Sequence, residues 1–269
     1  NTKGFRWVLE DSDWSDVGDE PSLLKSLHPL HSVAVCEDRV LGIERIAKEK
    51  PEVKVVVLDD GLQHRALKPD LSVLLIDSER PLSMSSLLPG GDLRDLKSRA
   101  SKFDVWIYTR CPSNDTLPKR SKNASPQHVF STYMSSSSKA LSTVKKDSFK
   151  SEKPRVLAVS GIASPERFID GLLDSWTVVR RQSYPDHYQF KSKDISDWVT
   201  CVRSEKLDGI VTTAKDAERI KPYTSALKGI PLVVIPIEVK WHKKEALEKR
   251  VDEWLQNTIF AKEIAMKID

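Results

Sequence analysis

Two adjacent carboxylates open the part of the sequence that is richest in groups able to do chemistry. Asp59 and Asp60 directly follow the β-branched apolar run 53–58, and Gln63 and His64 come shortly after them. An Asp that ends a buried parallel strand lies at the sheet edge where α/β proteins bind ligands, and there it can hold Mg²⁺ directly or through water. The residues alone leave two alternatives open: a loop or helix-capping role for the carboxylates, and a structural role for His64.

A further carboxylate, Asp19, stands in the stretch Gly18-Asp19-Glu20-Pro21. Glu20-Pro21-Ser22 is typical of the beginning of a helix, because Pro is favoured in the first turn and a carboxylate favours the helix N-terminus. Taken without further information, Asp19 is therefore interpreted as a helix N-cap. Asp186-His187-Tyr188 taken in the same way is an ordinary loop.

The elements that must position these groups form two strand–helix series. Their strands are short and almost continuously apolar, as in a parallel sheet that is covered on both faces. In the first series we predict strands at 32–36, 53–58, 71–76 and 103–108, and a helix at 37–48. In the second series we predict strands at 155–159, 177–181, 209–213 and 232–239, helices at 165–173 and 193–202, and a closing amphipathic helix from Lys243. The fold class that follows is α/β.

The amino-acid composition changes between Cys111 and Lys153, where prolines, basic pairs and the serine run 135–138 are concentrated. Such a composition is typical of a connection between domains, although 127–134 has strand character. We therefore expect a first domain at 1–125, a linker at 126–153 for which two strands are one alternative, and a second α/β domain at 154–269.

Bulk composition excludes several classes of protein. Hydrophobic residues make up 39% and charged residues 30% of the 269 residues, which is ordinary for a globular protein. No run approaches the roughly 18 apolar residues of a membrane-spanning helix. A net charge of +4 is compatible with an anionic lipid surface but too small to indicate nucleic-acid binding. The three cysteines fit neither a disulfide framework nor a zinc site, so we expect a reducing cytoplasm.

Six motifs in order give the sequence a family resemblance. The stretch DDGLQHRALKPDLSVLLID at 59–77, followed by LLPGGDLRDL at 87–96, strongly resembles the tetraacyldisaccharide 4'-kinases. The other matching stretches are 18–21, 161–163 with Pro165 and Phe168, 185–188, and 212–216. The resemblance extends from about residue 4 to about residue 240.

The resemblance implies a P-loop-NTPase-like parallel sheet core, joined by a two-stranded linker to a smaller second α/β domain. It implies transfer of the γ-phosphate of ATP, with Mg²⁺, to the 4'-hydroxyl of a tetraacylated glucosamine disaccharide 1-phosphate in lipid A biosynthesis. The expected partners are this glycolipid and a membrane surface, with no nucleic acid and no protein partner implied. The expected location is the cytoplasmic face of the bacterial inner membrane, as a peripheral protein.

Roles follow from the resemblance residue by residue. Asp19 matches the proposed general base, and His187 matches a histidine that pairs with that base. Asp60 matches a magnesium ligand, supported by Asp59 and by His64. The remaining nucleotide-site residues that the resemblance implies are Arg94, Asp95, Thr213 and Lys215.

Two of these assignments have plain alternatives. Arg94 and Asp95 fall on an Arg-Glu pair of the family, with Asp95 in place of Glu, and a surface ion pair would explain them equally well. Lys215 is either a point charge that binds phosphate or a solvated lysine at a helix start.

One family motif does not occur in these residues. The Walker A pattern G-x-x-x-x-G-K-[ST], whose backbone N–H groups and lysine surround the β- and γ-phosphates, is absent from the 269 residues. The chain also opens on Asn1 rather than Met, and the resemblance implies that the loop lies upstream. We therefore expect the chain by itself to be compromised in folding and inactive, and assign the kinase activity to the intact protein.

Two other classes of protein use similar residues. A signalling receiver domain also clusters aspartates, a Thr and a Lys at strand ends, but within roughly 120 residues, whereas Lys215 lies much farther from Asp60 than that. A non-catalytic module that binds a lipid surface, or a degenerate kinase remnant, would explain the missing Walker A pattern and the basic stretch 119–122. Retention of the acidic, amide and histidine groups favours the kinase over such a module, and the spacing argues against the receiver domain.

Overall fold

The structure of the protein is a computed structural model that describes residues 3–82, 85–91, 93–112, 128–136, 149 and 151–265. Contacts divide the chain into two compact units, each discontinuous in sequence. The first unit comprises residues 1–53 and 136–238, and the second comprises residues 54–135 and 239–269.

The first unit is built around a four-stranded sheet with strand order β7-β6-β8-β9. Its strands are β6 (Arg155–Ser160), β7 (Thr177–Ser183), β8 (Gly209–Thr213) and β9 (Leu232–Ile235). All three neighbouring pairs are parallel. Parallel strands need crossover connections, and helices between the strands supply them.

Helices cover both faces of this sheet, because successive side chains of each strand alternate between two apolar clusters. On β6, Leu157 and Val159 belong to the cluster beneath α5 (Ser192–Ser204), whose Trp198 is fully buried. Val156 and Ala158 belong to the opposite cluster. That cluster includes three side chains of α4 (Pro165–Leu172), namely Phe168, Ile169 and Leu172.

The N-terminal segment adds a two-stranded antiparallel sheet and three helices to the same unit. The strands are β1 (Arg6–Val8) and β2 (Val33–Val35). The helices are α1 (Trp14–Val17), α2 (Asp19–Leu27) and α3 (Arg39–Glu49). α2 contacts α6 (Ala214–Ile220), which begins where β8 ends. This packing joins residues 1–53 to the second strand–helix series.

The second unit contains the sheet with strand order β10-β5-β4-β3. Its strands are β3 (Val73–Asp77), β4 (Val105–Thr109), β5 (His128–Ser136) and β10 (Ile237–Trp241). β3 and β5 both pair with β4 in parallel. The unit also contains short 3₁₀ turns at Gly61–Gln63 and Lys97–Lys102 and the final helix α7 (Lys244–Ala265).

Most of the predicted elements, and the α/β class with them, are confirmed. The apolar stretch 232–239 is divided into β9 and β10 by Pro236, which has no backbone N–H for a strand ladder. The predicted strand 53–58 is wrong: these residues have no regular secondary structure, and Val57 is 87% exposed. The three sheets of the described residues do not include this segment, and a β-branched run forms a strand only where another strand supplies its ladder hydrogen bonds.

The predicted division at 1–125, 126–153 and 154–269 uses continuous segments, whereas the observed units are discontinuous. The domain boundaries therefore stay a prediction. Much of the predicted linker falls in 126–127, 137–148 and 150, outside the described residues. The basic stretch 119–122 of the predicted first domain also lies outside them. In the part of the chain that is described, we find no helix with the length and apolar character needed to cross a bilayer.

Candidate active site

Loops after three neighbouring strands of the first unit bring polar groups to one edge of its sheet. β6 ends at Ser160 and is followed by Gly161, β7 is followed by residues 184–188, and β8 ends at Thr213. These three strands are adjacent and parallel, so their carboxyl ends lie at the same edge. Ligands of open α/β sheets bind at that edge.

Asp19 and His187, the predicted base and its partner, are in contact here. His187 Nδ1 lies 3.1 Å from Asp19 Oδ2, although 168 residues separate the two in the chain. Asp19 is only 7% exposed and is the first residue of α2, whose N-cap is Gly18. The interpretation of Asp19 as an N-cap is therefore wrong. Its Oδ1 accepts a hydrogen bond from the N–H of Glu20 at 3.0 Å, and Oδ2 contacts His187.

His187 is held in an uncommon backbone conformation. Its φ of 58° lies in the left-handed region, which His, Asn and Asp occupy more readily than other non-glycine residues. The N–H of His187 donates to Asp186 Oδ1 at 3.0 Å, and the N–H of Tyr188 donates to the carbonyl of Pro185 at 3.1 Å. These bonds close a tight loop that presents the imidazole to Asp19.

Lys215 extends this arrangement from the first turn of α6. Its Nζ donates to Glu20 Oε1 at 2.9 Å and lies 3.3 Å from His187 Nε2. Oxygens of Asp19 and Asp186 each lie 3.9 Å from the same Nζ. The ammonium is thus surrounded by three carboxylates and one imidazole nitrogen, so the alternative of a solvated helix-start lysine is wrong. Its predicted contact with phosphate stays a prediction.

A buried ion pair lies directly beneath these groups. Asp216 and Arg219 are both 0% exposed, and Arg219 Nη2 donates to Asp216 Oδ1 at 2.7 Å. Arg219 also donates from Nη2 to the carbonyl of Gly161 at 2.9 Å and from Nη1 to the carbonyl of Tyr188 at 3.1 Å. Its Nε lies 3.6 Å from Asp19 Oδ2 and has no hydrogen-bond partner among the residues that the structure describes. One guanidinium thus joins the end of β6, the His187 loop and the Asp19 carboxylate.

Burial raises the pKa of Asp216 above its ordinary value, because desolvation penalises the charged carboxylate. Hydrogen bonds from Thr213 and the N–H of Gly161, and the charges of Arg219 and Lys215, oppose this effect. Such a group is costly to bury and is found where surrounding donors hold it in one orientation.

Thr213 uses its hydroxyl inside this network. The hydroxyl donates to Asp216 Oδ2 at 2.7 Å and accepts from the N–H of Asp216 at 3.1 Å, which caps the N-terminus of α6. The cap is the reason that so short a helix begins where it does. A contact between Thr213 and a phosphate stays a prediction.

The second unit contains the predicted metal ligands. Asp60 has a left-handed backbone with φ of 48° and precedes the 3₁₀ turn at Gly61–Gln63, which ends at His64. The N–H of Asp60 donates to Asp59 Oδ1 at 3.0 Å. The side chain of Asp60 is 76% exposed, and its Oδ2 lies 4.0 Å from Arg94 Nη1.

Asp95 does not pair with its neighbour Arg94. Its Oδ2 contacts Arg99, one helical turn further on, and lies 3.7 Å from Arg65 Nη2, while Oδ1 accepts from the N–H of Leu96 at 2.8 Å. The hydrogen bond from Leu96 and the charge of Arg99 lower the pKa of Asp95. Arg94 pairs with the predicted metal ligand instead, and the nucleotide roles of both residues stay predictions.

The carboxylates of Asp59 and Asp60 have the hard oxygen donors that Mg²⁺ prefers. Within the described ranges, no group of three or more His, Cys, Asp and Glu side chains could enclose a metal ion. Mg²⁺ is usually held by one or two carboxylates together with water and substrate phosphates. The pair fits a magnesium ion bound in that manner.

Several residues of the observed network had no role assigned from the sequence. Glu20, Asp186, Asp216 and Gly161 lie within the matched motifs, whereas Arg219 lies outside all of them. One sequence feature could have indicated that Arg219 lies near the site. It follows Asp216 by three residues and Lys215 by four, which places the three side chains on neighbouring positions of a helix. Burial of Arg219 could not be inferred from that spacing.

Comparison with known proteins gives a consistent result. A family model described as LpxK, tetraacyldisaccharide-1-P 4'-kinase, matches residues 1–256. The tetraacyldisaccharide 4'-kinase of Porphyromonas gingivalis is 34% identical over 257 residues, and the match covers 89% of this chain and 71% of that protein. The enzyme of the same description from Bacteroides fragilis is 31% identical over 280 residues, covering 96% of this chain and 72% of the relative.

The fold is also similar to a solved structure. The crystal structure described as the apo form of LpxK from Aquifex aeolicus in complex with ATP superposes with a TM-score of 0.72 and 26% identity. The match covers 95% of this chain and 76% of the chain of that structure.

Proposed function

The chain belongs to the tetraacyldisaccharide-1-P 4'-kinase family, and we therefore propose that it transfers the γ-phosphate of ATP to the 4'-hydroxyl of a tetraacylated glucosamine disaccharide 1-phosphate in lipid A biosynthesis. The observation that best supports this proposal within the chain itself is the contact between Asp19 and His187 at the carboxyl ends of parallel strands. The relative from Aquifex aeolicus binds ATP, which supports ATP as the phosphate donor.

In the proposed reaction, Asp19 accepts the proton of the sugar hydroxyl as that oxygen attacks the γ-phosphate. A carboxylate suits this role because phosphoryl transfer depends mainly on positioning and charge stabilisation and needs only modest help from a base. His187 orients the Asp19 carboxylate by its hydrogen bond, and Arg219 supports both residues from beneath.

We propose that Asp60, with Asp59, binds the magnesium ion that accompanies the nucleotide. When bound, Mg²⁺ neutralises charge on the phosphate oxygens. Arg94, which pairs with Asp60 at 4.0 Å, is placed to add a positive charge next to the same carboxylate.

Phosphorylation of a tetraacyl disaccharide 1-phosphate by ATP tests the function. We propose that activity requires a Walker A loop, which these 269 residues do not contain, so the chain is assayed alone and with such a loop and its strand placed before Asn1. We expect product only from the extended chain. Lipid binding without product from either folded chain would contradict the kinase and support the non-catalytic lipid-binding module.

An isosteric substitution in the extended chain tests the base. Asp19→Asn keeps the shape of the side chain and removes the proton acceptor, so kcat should fall about 10²- to 10⁴-fold. Asp11→Asn removes one negative charge from an exposed residue of the same unit and should leave kcat unchanged. Equal rates for Asp19→Asn and the unsubstituted protein would exclude Asp19 as the base.

We further propose that the protein works at the cytoplasmic face of the inner membrane as a peripheral protein. The support is chemical: the proposed substrate is a lipid with four acyl chains, and the net charge of +4 favours an anionic surface.

A further inference from the structure

The C-terminal half of α2 and the turn that follows it expose leucine side chains to solvent. Leu24 and Leu27 are 47% and 46% exposed, and Leu30, in the turn, is 97% exposed. Leu24 and Leu27 are three residues apart in one helix, so their side chains are neighbours. We call these three residues the leucine face. Single exposed leucines need no explanation, but a group of them indicates a binding surface.

The turn that carries Leu30 is held against the helix. Nζ of Lys25 donates to the carbonyl of Pro29 at 2.7 Å and to the carbonyl of His31 at 3.1 Å. The N–H of His31 also donates to the carbonyl of His28 at 3.0 Å. These bonds fix the backbone on both sides of Leu30 while its side chain stays in solvent. Little conformational entropy is therefore lost when a partner covers this side chain.

The charges next to the leucine face favour an anionic partner. The stretch 21–36 contains no aspartate or glutamate, and Lys25 is its only lysine or arginine. Lys50 adds a second cation, because its Nζ donates to Ser32 Oγ at 2.6 Å. Glu49, the acid next to Lys50 in the chain, is paired with Arg45 at 2.7 Å. Apolar side chains flanked by cations are complementary to a bilayer with anionic headgroups.

The leucine face and the candidate base belong to the same helix. α2 begins at Asp19 and ends at Leu27, so with a rise of about 1.5 Å per residue the two lie about 12 Å apart along the axis. In a glycolipid, the sugar is attached directly to the acyl chains and lies at the level of the headgroups. A protein whose Leu27 and Leu30 touch the hydrocarbon boundary therefore keeps Asp19 close to the headgroup region.

We propose that the leucine face enters the boundary between headgroups and hydrocarbon of an anionic bilayer. The proposal rests on the proposed function, because it names the surface through which a kinase of a membrane lipid approaches its acceptor. A second copy of the chain fits this surface less well. Three leucine side chains offer on the order of 300 Å² of apolar surface, whereas each partner of a stable protein complex buries about 800 Å².

Entry of Leu30 into the bilayer can be measured with the environment-sensitive fluorophore NBD. Leu30→Cys is labelled in the full chain together with Cys201→Ser, because Cys36 and Cys111 are buried and Cys201 is partly exposed. Vesicles of phosphatidylcholine and phosphatidylglycerol should shift the emission to shorter wavelength and raise its intensity. An unchanged emission spectrum in the presence of these vesicles would overturn the proposal.

The contribution of Leu30 to vesicle binding is tested without changing the net charge. Leu30→Gln should lower partitioning onto these vesicles roughly tenfold, because the apolar side chain no longer leaves water. Leu30→Trp should retain binding, since Trp is favoured at the membrane interface. The side chain is 97% exposed, so both variants should unfold at the same urea concentration as the unsubstituted protein.

Leu173 provides the matched control for both measurements. It is 44% exposed and lies at the C-terminal end of α4 in the same unit. NBD attached to Leu173→Cys should not respond to vesicles, and Leu173→Gln should bind them as the unsubstituted protein does. Equal partitioning of Leu30→Gln and Leu173→Gln would contradict a specific role of the leucine face.

Two further measurements separate the leucine face from its alternatives. If the chain is a dimer in sedimentation without vesicles and Leu30→Gln makes it monomeric, the face is an interface between copies and the proposal fails. Kinase activity of the extended chain is measured independently, because NBD emission requires no turnover. Entry of Leu30 into vesicles without kinase activity would support the leucine face and reject the proposed function, whereas activity without entry would do the reverse.

Discussion

The carboxylate of Asp19 is unusual in having cationic or imidazole groups on several sides while being almost completely buried. Arg219 Nε, Lys215 Nζ and His187 Nδ1 lie 3.6, 3.9 and 3.1 Å from the same oxygen. A buried charge requires such compensation, because an isolated ionised carboxylate is far too costly to remove from water. The same groups restrict the carboxylate to one orientation, which is what a base in a positioned reaction needs.

Because the backbone of His187 is left-handed, two substitutions can test whether its side chain orients Asp19 without straining the loop. Asn and Gly both tolerate φ of 58°, but only Asn supplies an amide N–H near the position of Nδ1. If His187 orients Asp19, then in the active, extended chain His187→Asn should retain about tenfold more kcat than His187→Gly, which corresponds to one hydrogen bond. Steady-state kinetics with the disaccharide test this, and equal losses in both variants would contradict an orienting role.

Asp216 makes a testable contribution to the pH dependence of stability. Because its pKa in the folded protein is raised above 3.8, the folded state binds its proton more tightly than the unfolded state. The free energy of unfolding should therefore fall as pH rises from 3.8 through the raised folded pKa, and the contribution should be constant above that window. Asp216→Asn has no titrating carboxyl at this position and therefore removes this contribution to the pH dependence of the free energy of unfolding.

The measurement is urea unfolding of both proteins at several pH values. We expect the stability of Asp216→Asn relative to the unsubstituted protein to rise across this window, because only the unsubstituted protein loses stability there through Asp216. A difference that is independent of pH would show that Asp216 has no raised pKa.

Among the elements, the turn that follows β6 depends on the close approach of other groups to Gly161. A Cβ at this position would lie 3.2 Å from Asp216 Oδ1 and 3.3 Å from the carbonyl of Pro185. Neither atom can move without disturbing the Asp216 network or the His187 loop. Gly161→Ala should therefore destabilise the protein by about 1–3 kcal/mol, as overpacking does, in urea unfolding.

Gly90→Ala is the matched control for this prediction. Its nearest atom, the carbonyl oxygen of Leu87, would lie at an ordinary distance of 3.7 Å. Its effect on the free energy of unfolding should stay within about 0.5 kcal/mol. Equal effects of the two substitutions would exclude steric crowding as the special property of Gly161.

The elements also show what can be predicted from sequence. β8 was predicted at its observed bounds because a buried β-branched run flanked by polar residues is a local signal. Run 53–58 has the same signal and is not a strand, since pairing depends on a partner elsewhere in the chain. α6 is seven residues long, too short for helical periodicity, and is determined by the Thr213 cap and by the packing of α2.

In the site, too, the residues that a local motif identifies can be predicted, whereas their contacts with distant parts of the chain cannot. Asp19, His187 and Lys215 could be identified because they lie in motifs of a recognisable family. Their mutual geometry could not, because it depends on contacts between segments that are far apart in sequence. Burial of Arg219 could not be predicted from the sequence, since an Arg at that spacing on a helix is usually exposed to solvent.

At the scale of the whole molecule, the net charge of +4 gives a prediction for membrane association. Binding to vesicles that contain anionic lipid should exceed binding to neutral vesicles and should weaken between about 50 and 500 mM salt, because added salt shortens the Debye length from roughly 14 to 4 Å. Flotation of the chain with each type of vesicle measures this. Binding that is equal on both vesicles and insensitive to salt would contradict an electrostatic contribution to the proposed peripheral location.

The separation of 168 residues between Asp19 and His187 has a consequence for biosynthesis. At the usual rate of translation, about 5–20 residues per second, Asp19 is made roughly 8 to 34 s before His187. During this interval the carboxylate lacks its three distant partners, because Lys215 and Arg219 are made later still than His187. α2 therefore cannot be buried in its final position until most of the chain has been synthesised, and nascent chains of shorter length contain no assembled site.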